Sequence, residues 1–242
     1  MYHFLKKIVK AIIPKRFLFK NEPFFRFFYG IFFIGTKHKC TICNHKLSSF
    51  VSDSSLCPFC GSLPRSRRLW KLLNEDRVLN GKVLHFSPSR SLYRKLKKNK
   101  TISYFSSDFE DEFLADHKFD ITNIDQPDNT FELIICYHIL EHIIDDSKAM
   151  SELFRVLAPS GKIYLQTPFK EGTIYEDFSI TSPQERKLHF GQEDHVRVYS
   201  IEGLKQRLKT VGFDISVRTF VNSEKSDYFG LYNEETILIL SK

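Results

Sequence analysis

The chain has 242 residues and a formal net charge of +7, room for one α/β domain of ordinary size plus a small appendage. The charge is lopsided. Residues 1–39 hold nine Lys/Arg against one acidic residue (+8), residues 40–70 four against one (+3), and residues 71–242 twenty-three against twenty-seven (−4). A basic face on the larger domain, the footprint of a dedicated nucleic-acid binder, is therefore disfavoured. The longest uncharged apolar run, Phe27 to Ile34, is far short of the roughly 20 residues that cross a bilayer. Lys6, Lys7 and Lys10 interrupt the apolar opening and no small-residue cleavage site follows, so no signal peptide is expected.

Leu5, Ile8, Val9, Ile12 and Ile13 recur at helical spacing opposite those lysines, and Pro14 ends the pattern. The Phe-rich stretch from Phe17 to Phe33 follows. We expect residues 1–36 to form a basic, aromatic arm that packs on the rest of the protein or a second copy. The alternative is that it lies on an anionic membrane surface. Next come Cys40-Thr-Ile-Cys43 and Cys57-Pro-Phe-Cys60-Gly61. Two closely spaced thiol pairs are the arithmetic of a closed, structural four-cysteine zinc site in a reducing compartment, here a ribbon over residues 37–63. Cytoplasmic residence follows, with peripheral contact at the inner membrane face if the arm meets lipid. Pro64 to Leu73 reads as a helix with Leu69, Leu72 and Leu73 inward and Arg65, Arg67 and Arg68 on a solvated face.

From Gly81 strands and helices alternate. Strands are expected at Lys82–Phe86, Ile102–Ser106, Lys118–Ile121, Leu133–Cys136 and Lys162–Thr167. Helices are expected after the lead-in Ser87-Pro-Ser-Arg-Ser-Leu92 through about Lys98, from Asp145 to Leu157, and from an N-cap at Ser200 to Val211, with Gly212 at C′. Two last strands, Phe213–Phe220 and Thr236–Ser241, close a hairpin. The fold class is α/β: a doubly wound, seven-stranded, mostly parallel sheet over residues 64–242, preceded by the ribbon and N-terminal helices. The continuous apolar run Glu132–Cys136 suits a strand buried on both faces. Tyr137, His138, Glu141 and His142 then fall past its carboxyl end, where open α/β sheets bind ligands.

The runs Asp120-Ile-Thr, Asn129-Thr-Phe-Glu-Leu-Ile-Ile, Ile139-Leu-Glu-His-Ile143 and Glu152-Leu-Phe-Arg-Val-Leu-Ala-Pro-Ser-Gly161 resemble class I S-adenosylmethionine-dependent methyltransferases of Rossmann-like fold. The four-cysteine ribbon, Val83–Pro88, Thr173–Asp177 and His189–Tyr199 are similar to a zinc-ribbon subfamily often associated with surface-polysaccharide functions. The resemblance implies S-adenosylmethionine as cofactor, contacted by His85, Ser87 and Ser89 in the first loop. It also implies Asp108 on the ribose hydroxyls, Asp120 and Ile121 on adenine, and Tyr137 and His138 beside the reactive methyl. The family's first loop is Gly-rich; here His85-Phe-Ser-Pro-Ser-Arg-Ser91 has no glycine, a departure that bears on close backbone approach.

Methyl transfer to a hydroxyl benefits from a general base. His195 in the polar segment Gly191–Arg197 is the preferred one, oriented by Asp194 or Glu193, with Arg197 on an anionic acceptor and Glu176 and Asp177 on sugar hydroxyls; a lid loop whose charges pair with one another is the alternative. The Asn/Asp-Pro-Pro-aromatic motif of base-amino methyltransferases does not follow the fourth strand. The leading expectation is thus O-methylation of a glycan or related small-molecule acceptor. RNA methylation through the ribbon and basic arm, and a non-catalytic binding module, are the alternatives.

Overall fold

The computed structural model describes residues 15–51 and 55–242, so the amphipathic helix expected before Pro14 lies outside it. Contacts divide the chain into two compact units, Met1–Lys71 with Asn222–Asn233, and Leu72–Val221 with Glu234–Lys242. Helix α1 (Lys15–Ile31) carries Pro23. Its Phe24, Phe25, Phe27 and Phe28, and Phe32 just beyond it, are all more than half exposed, Phe32 reaching 86%. Strands β1 (Ile34–Lys39) and β2 (Lys46–Leu47) pair as an antiparallel hairpin. Helix α2 (Pro64–Glu75) begins on a proline, whose missing N–H costs nothing in the first turn. Leu69, Leu72 and Leu73 on it are buried, as expected.

The larger unit alternates β3 (Gly81–Phe86), α3 (Arg90–Lys97), β4 (Ile102–Ser107), β5 (Phe131–Tyr137), α4 (Asp146–Val156) and β6 (Leu157–Gln166). There follow β7 (Tyr175–Glu176), α5 (Pro183–Phe190), β8 (Arg197–Val198), α6 (Ile201–Val211) and β9 (Asp214–Phe220). Helix α7 (Glu224–Phe229) and β10 (Glu235–Ser241) end the chain. The main sheet has the order β4-β3-β5-β6-β10-β9, its first four strands parallel and its last two antiparallel. Leu133, Ile134, Ile135 and Cys136 of β5 are all buried, as a central strand covered on both faces requires. Met150, Leu153 and Val156 of α4 pack into the same core. Asp145 caps α4 by accepting from Lys148 N, and Ser200 caps α6 by accepting from Gly203 N. Gly212 closes α6 at φ 111°, a conformation only glycine takes without strain.

The sheet has six strands rather than the expected seven. Lys118–Ile121 forms no ladder: Phe119 N donates to Ser107 Oγ, and Asp120 turns back to bridge Asn123, which uses the groups a strand would pair. The domain boundaries also shift. Residues 222–233, inserted between β9 and β10, belong to the ribbon's unit, and that unit runs to Lys71 rather than ending at residue 63. Arg67 shows why. Its guanidinium is 0% exposed and donates to the carbonyls of Ser55, Ser62, Phe229 and Gly230. Arg68 is buried too and reaches the Tyr232 carbonyl. These arginines pin loops together; they do not form a solvated face.

His85 is a strand residue of this sheet, 2% exposed, with Nδ1 3.0 Å from the Tyr104 hydroxyl. Its ring is thus in the packing layer and not in the first loop, where a cofactor contact was expected. Burial pushes its pKa down to about 3. The unfolded chain protonates near the usual histidine value of about 6.5, so this group's contribution is intact above that pH and is lost as pH falls toward the folded value. A His85→Gln variant should show a shallower fall in urea midpoint between those two pH values than the wild type.

Candidate functional site

Strand β3 pairs with β4 on one side and β5 on the other, so the chain reverses its direction of winding between β3 and β5. In open α/β sheets such a switch point, at the carboxyl ends of the two strands, is where ligands bind. A non-glycine residue in the left-handed region stands just beyond each: Ser87 at φ 41° after β3 and His138 at φ 55° after β5. Such residues cost on the order of 1–3 kcal/mol and persist where the surroundings hold them. Ser87 N donates to Ser107 O at 2.7 Å and Ser87 Oγ to Asp108 Oδ1 at 2.8 Å. The glycine-free loop therefore takes a backbone turn that glycine would adopt freely. Ser89 is the N-cap residue of α3, with Oγ 3.4 Å from Ser91 Oγ.

Asp108, buried past the end of β4, accepts from Glu112 N and Phe113 N through Oδ2 as well as from Ser87. It ties the loops after β3 and β4 together. Asp120 Oδ1 accepts from both Thr122 N and Oγ1, and Ile121 is buried in the core.

Tyr137 is the last residue of β5, and His138 N donates to Gln166 O of β6. His138 Nδ1 lies 3.2 Å from Glu141 Oε1. Glu141 is 1% exposed; burial opposes its ionisation, but His138, a backbone N–H and His142 together hold its pKa below the ordinary glutamate value. Gln166 Oε1 and Thr167 Oγ1, at the end of β6, are buried without a hydrogen-bond partner. Neither was expected at the site, although polar residues at the carboxyl end of a predicted parallel strand were the available signal. Cys136 is different: burial pushes its thiol up, so it is an inert core residue.

The segment around His195 is rearranged relative to expectation. Asp194 Oδ2 meets His142 Nδ1 at 3.1 Å, not His195, and Glu193 pairs with Lys187. His195 is 3% exposed, its Nδ1 3.1 Å from Phe190 O, and desolvation lowers its pKa. Arg197, expected to meet an anionic acceptor, is 1% exposed. It donates to Glu176 at 2.9 Å and to the carbonyls of Leu140, Ile143 and Ile144. Glu176 also takes Arg207 at 2.5 Å, and Arg207 reaches Asp146 at 2.6 Å. A cleft of about 340 Å³ beside the start of α4 is lined by Asp146, Glu176, Phe178, Arg197 and Arg207. Arg197 and Glu176 thus build one wall of a cleft and are spent on each other. Asp177 is exposed and accepts from Ser179 N and Oγ.

In the smaller unit the sulfurs of Cys40, Cys43, Cys57 and Cys60 lie within 4.8 Å of one another, Cys40–Cys60 at 3.6 Å and Cys43–Cys57 at 3.7 Å. A tetrahedron with Zn–S bonds of about 2.3 Å has edges of about 3.8 Å. The donor set and spacing fit a closed zinc site.

The family model described as "Methyltransferase domain" matches residues 67–216. Sterol 24-C-methyltransferase of Eremothecium gossypii is 27% identical over 147 residues, 60% of this chain and 33% of that protein. The chain spans about a third of the length of the curated relatives it matches. An S-adenosylmethionine-dependent methyltransferase structure from Archaeoglobus fulgidus aligns with TM-score 0.51 and 17% identity, covering 75% of this chain and 95% of that one. The CMeT domain of the citrinin polyketide synthase aligns with TM-score 0.51 and 12% identity, covering 79% and 55%. These two structures share the fold. No helix among the described residues is long and apolar enough to cross a membrane.

If Arg197 is a structural buried cation, Arg197→Ala should cost about 3–5 kcal/mol in urea denaturation. Arg197→Lys should recover little, because lysine lacks the planar fork. Unchanged stability with a raised acceptor KM would return Arg197 to acceptor binding.

Proposed function

This chain belongs to the class I S-adenosylmethionine-dependent methyltransferases, and we propose that it methylates a hydroxyl oxygen of a glycan or related small molecule. The observation that carries the reading is the His138–Glu141 pair at the carboxyl end of β5, on the strand next to the strained Ser87 loop. Ser87, Ser89, Asp108, Asp120, Ile121 and Tyr137 are the residues we assign to the cofactor, with Asp108 on the ribose hydroxyls. S-adenosylmethionine supplies an electrophilic methyl on a sulfonium; forming the C–O bond breaks the C–S bond and leaves S-adenosylhomocysteine. The protein's share is alignment and proton removal. Glu141 holds His138 through Nδ1–H, so Nε2 is the nitrogen that takes the acceptor proton. His138 replaces His195 as base, because His195 is buried and Asp194 serves His142. The four-cysteine site holds a structural zinc that supports the ribbon.

A carbon acceptor is the second reading, favoured by the similarity to a sterol 24-C-methyltransferase. We also assign the exposed Phe face of α1 and the basic arm, residues 1–36, to an anionic bilayer at the cytoplasmic side, where a lipid-linked glycan would be met.

Turnover with methyl-13C S-adenosylmethionine and candidate glycans should give an O–CH3 carbon signal; a C–CH3 signal, or label in RNA, overturns the oxygen acceptor. His138→Ala should lower kcat by about 100-fold or more with cofactor affinity unchanged. Vesicles containing anionic lipid should sediment the intact protein in low salt and lose it in high salt, and failure to sediment removes the membrane assignment.

A further inference from the structure

Glu141, His142 and His195 each place a metal-ligating atom within 4.8 Å of the other two. The rings of His142 and His195 stand edge to face, centroids 4.7 Å apart. The bonds around them decide which atoms face inward. Phe190 O can only accept, so His195 Nδ1 carries the proton and Nε2 a lone pair. Asp194 holds His142 by Nδ1 at 3.1 Å, which leaves that ring's Nε2 free of this contact. Glu141 gives Oε1 to His138 and keeps Oε2. Both His195 Nε2 and Glu141 Oε2 are buried without a hydrogen-bond partner. Two buried lone-pair atoms that have no proton to share are costly unless a cation meets them.

We propose that Glu141, His142 and His195 bind a divalent first-row transition metal ion. Two imidazoles and a carboxylate are a donor set for such ions, and three protein ligands leave coordination positions open. The Phe190 carbonyl and the Asp194 carboxylate on the far nitrogens are the outer partners that ligating histidines use to fix ring and tautomer. This site has nitrogen and oxygen donors and belongs to the larger unit, whereas the all-sulfur site of the ribbon belongs to the smaller one. Its role rests on the methyl-transfer reading. The ion would hold the acceptor oxygen and ease its deprotonation, with His138, on the other oxygen of Glu141, receiving the proton.

The test reads metal content without S-adenosylmethionine, so its failure leaves the methyl-transfer reading standing. Full-length, zinc-loaded protein is titrated with Co2+ and with Mn2+ and then assayed by elemental analysis and absorbance. The expected result is one metal equivalent beyond the four-cysteine site, with cobalt bands that lack thiolate charge transfer. That equivalent disappears in Glu141→Gln and His195→Ala, and Asp194→Asn weakens it by about 10–100-fold. Should the two buried variants fail to fold, His142→Ala and Asp194→Asn, at part-exposed positions, carry the test. No equivalent beyond the four-cysteine site, or one that His142→Ala leaves unchanged, overturns the proposal.

Discussion

The ladder that joins β5 to its parallel neighbours decides which side chains share one end of the sheet. Ile135 pairs with His85 on β3 and with Tyr164 on β6, and Tyr137 pairs with Gln166. That register sets three strand ends side by side, so Ser87, His138 and Thr167 emerge at one edge of the sheet. A central strand tolerates few polar side chains because both of its faces are covered. The first residues able to carry polar chemistry are therefore those just past its end. There the backbone turns through positive φ at His138 and a short 3-10 turn over Leu140–His142 aims Glu141 into the protein.

Much of this was legible in the sequence because it depends on local pattern. The apolar run before Tyr137, the Ser200 cap and the Gly212 terminator each signal through residues close to one another in the chain, and each element forms as read. The acceptor side was less legible, for a physical reason. Which acid meets which base in residues 176–197 is settled by contacts made at long range: Arg197 reaches back to Leu140, Ile143 and Ile144, and Asp194 reaches His142. A polar cluster with Glu, Asp, His and Arg reads alike whether it faces a ligand or itself. Arg67 misled in the same way, since its carbonyl partners at Phe229 and Gly230 lie far along the chain. The strand expected at Lys118–Ile121 did not form because Ser107 and Asp120 offered side-chain oxygens to the backbone instead.

The glycine-free first loop shows how a residue type can depart from a pattern while the backbone keeps it. Ser87 takes the left-handed conformation and adds what glycine lacks, a hydroxyl that locks onto Asp108. The loops after β3 and β4 are thereby coupled, and the residue assigned to the ribose is held in place by the residue that replaces glycine. Local strain at Ser87 and His138, buried acceptors at Glu141, Gln166 and Thr167, and the switch point of the sheet all coincide. That coincidence, more than any single residue, supports the proposed cofactor site.

Calorimetric titration of the zinc-loaded protein with S-adenosylmethionine reads cofactor binding directly. Saturable binding at a single site is expected, abolished or strongly weakened in Asp108→Ala with the fold intact. Folded, zinc-loaded protein that gives no heat at high cofactor concentration would contradict it.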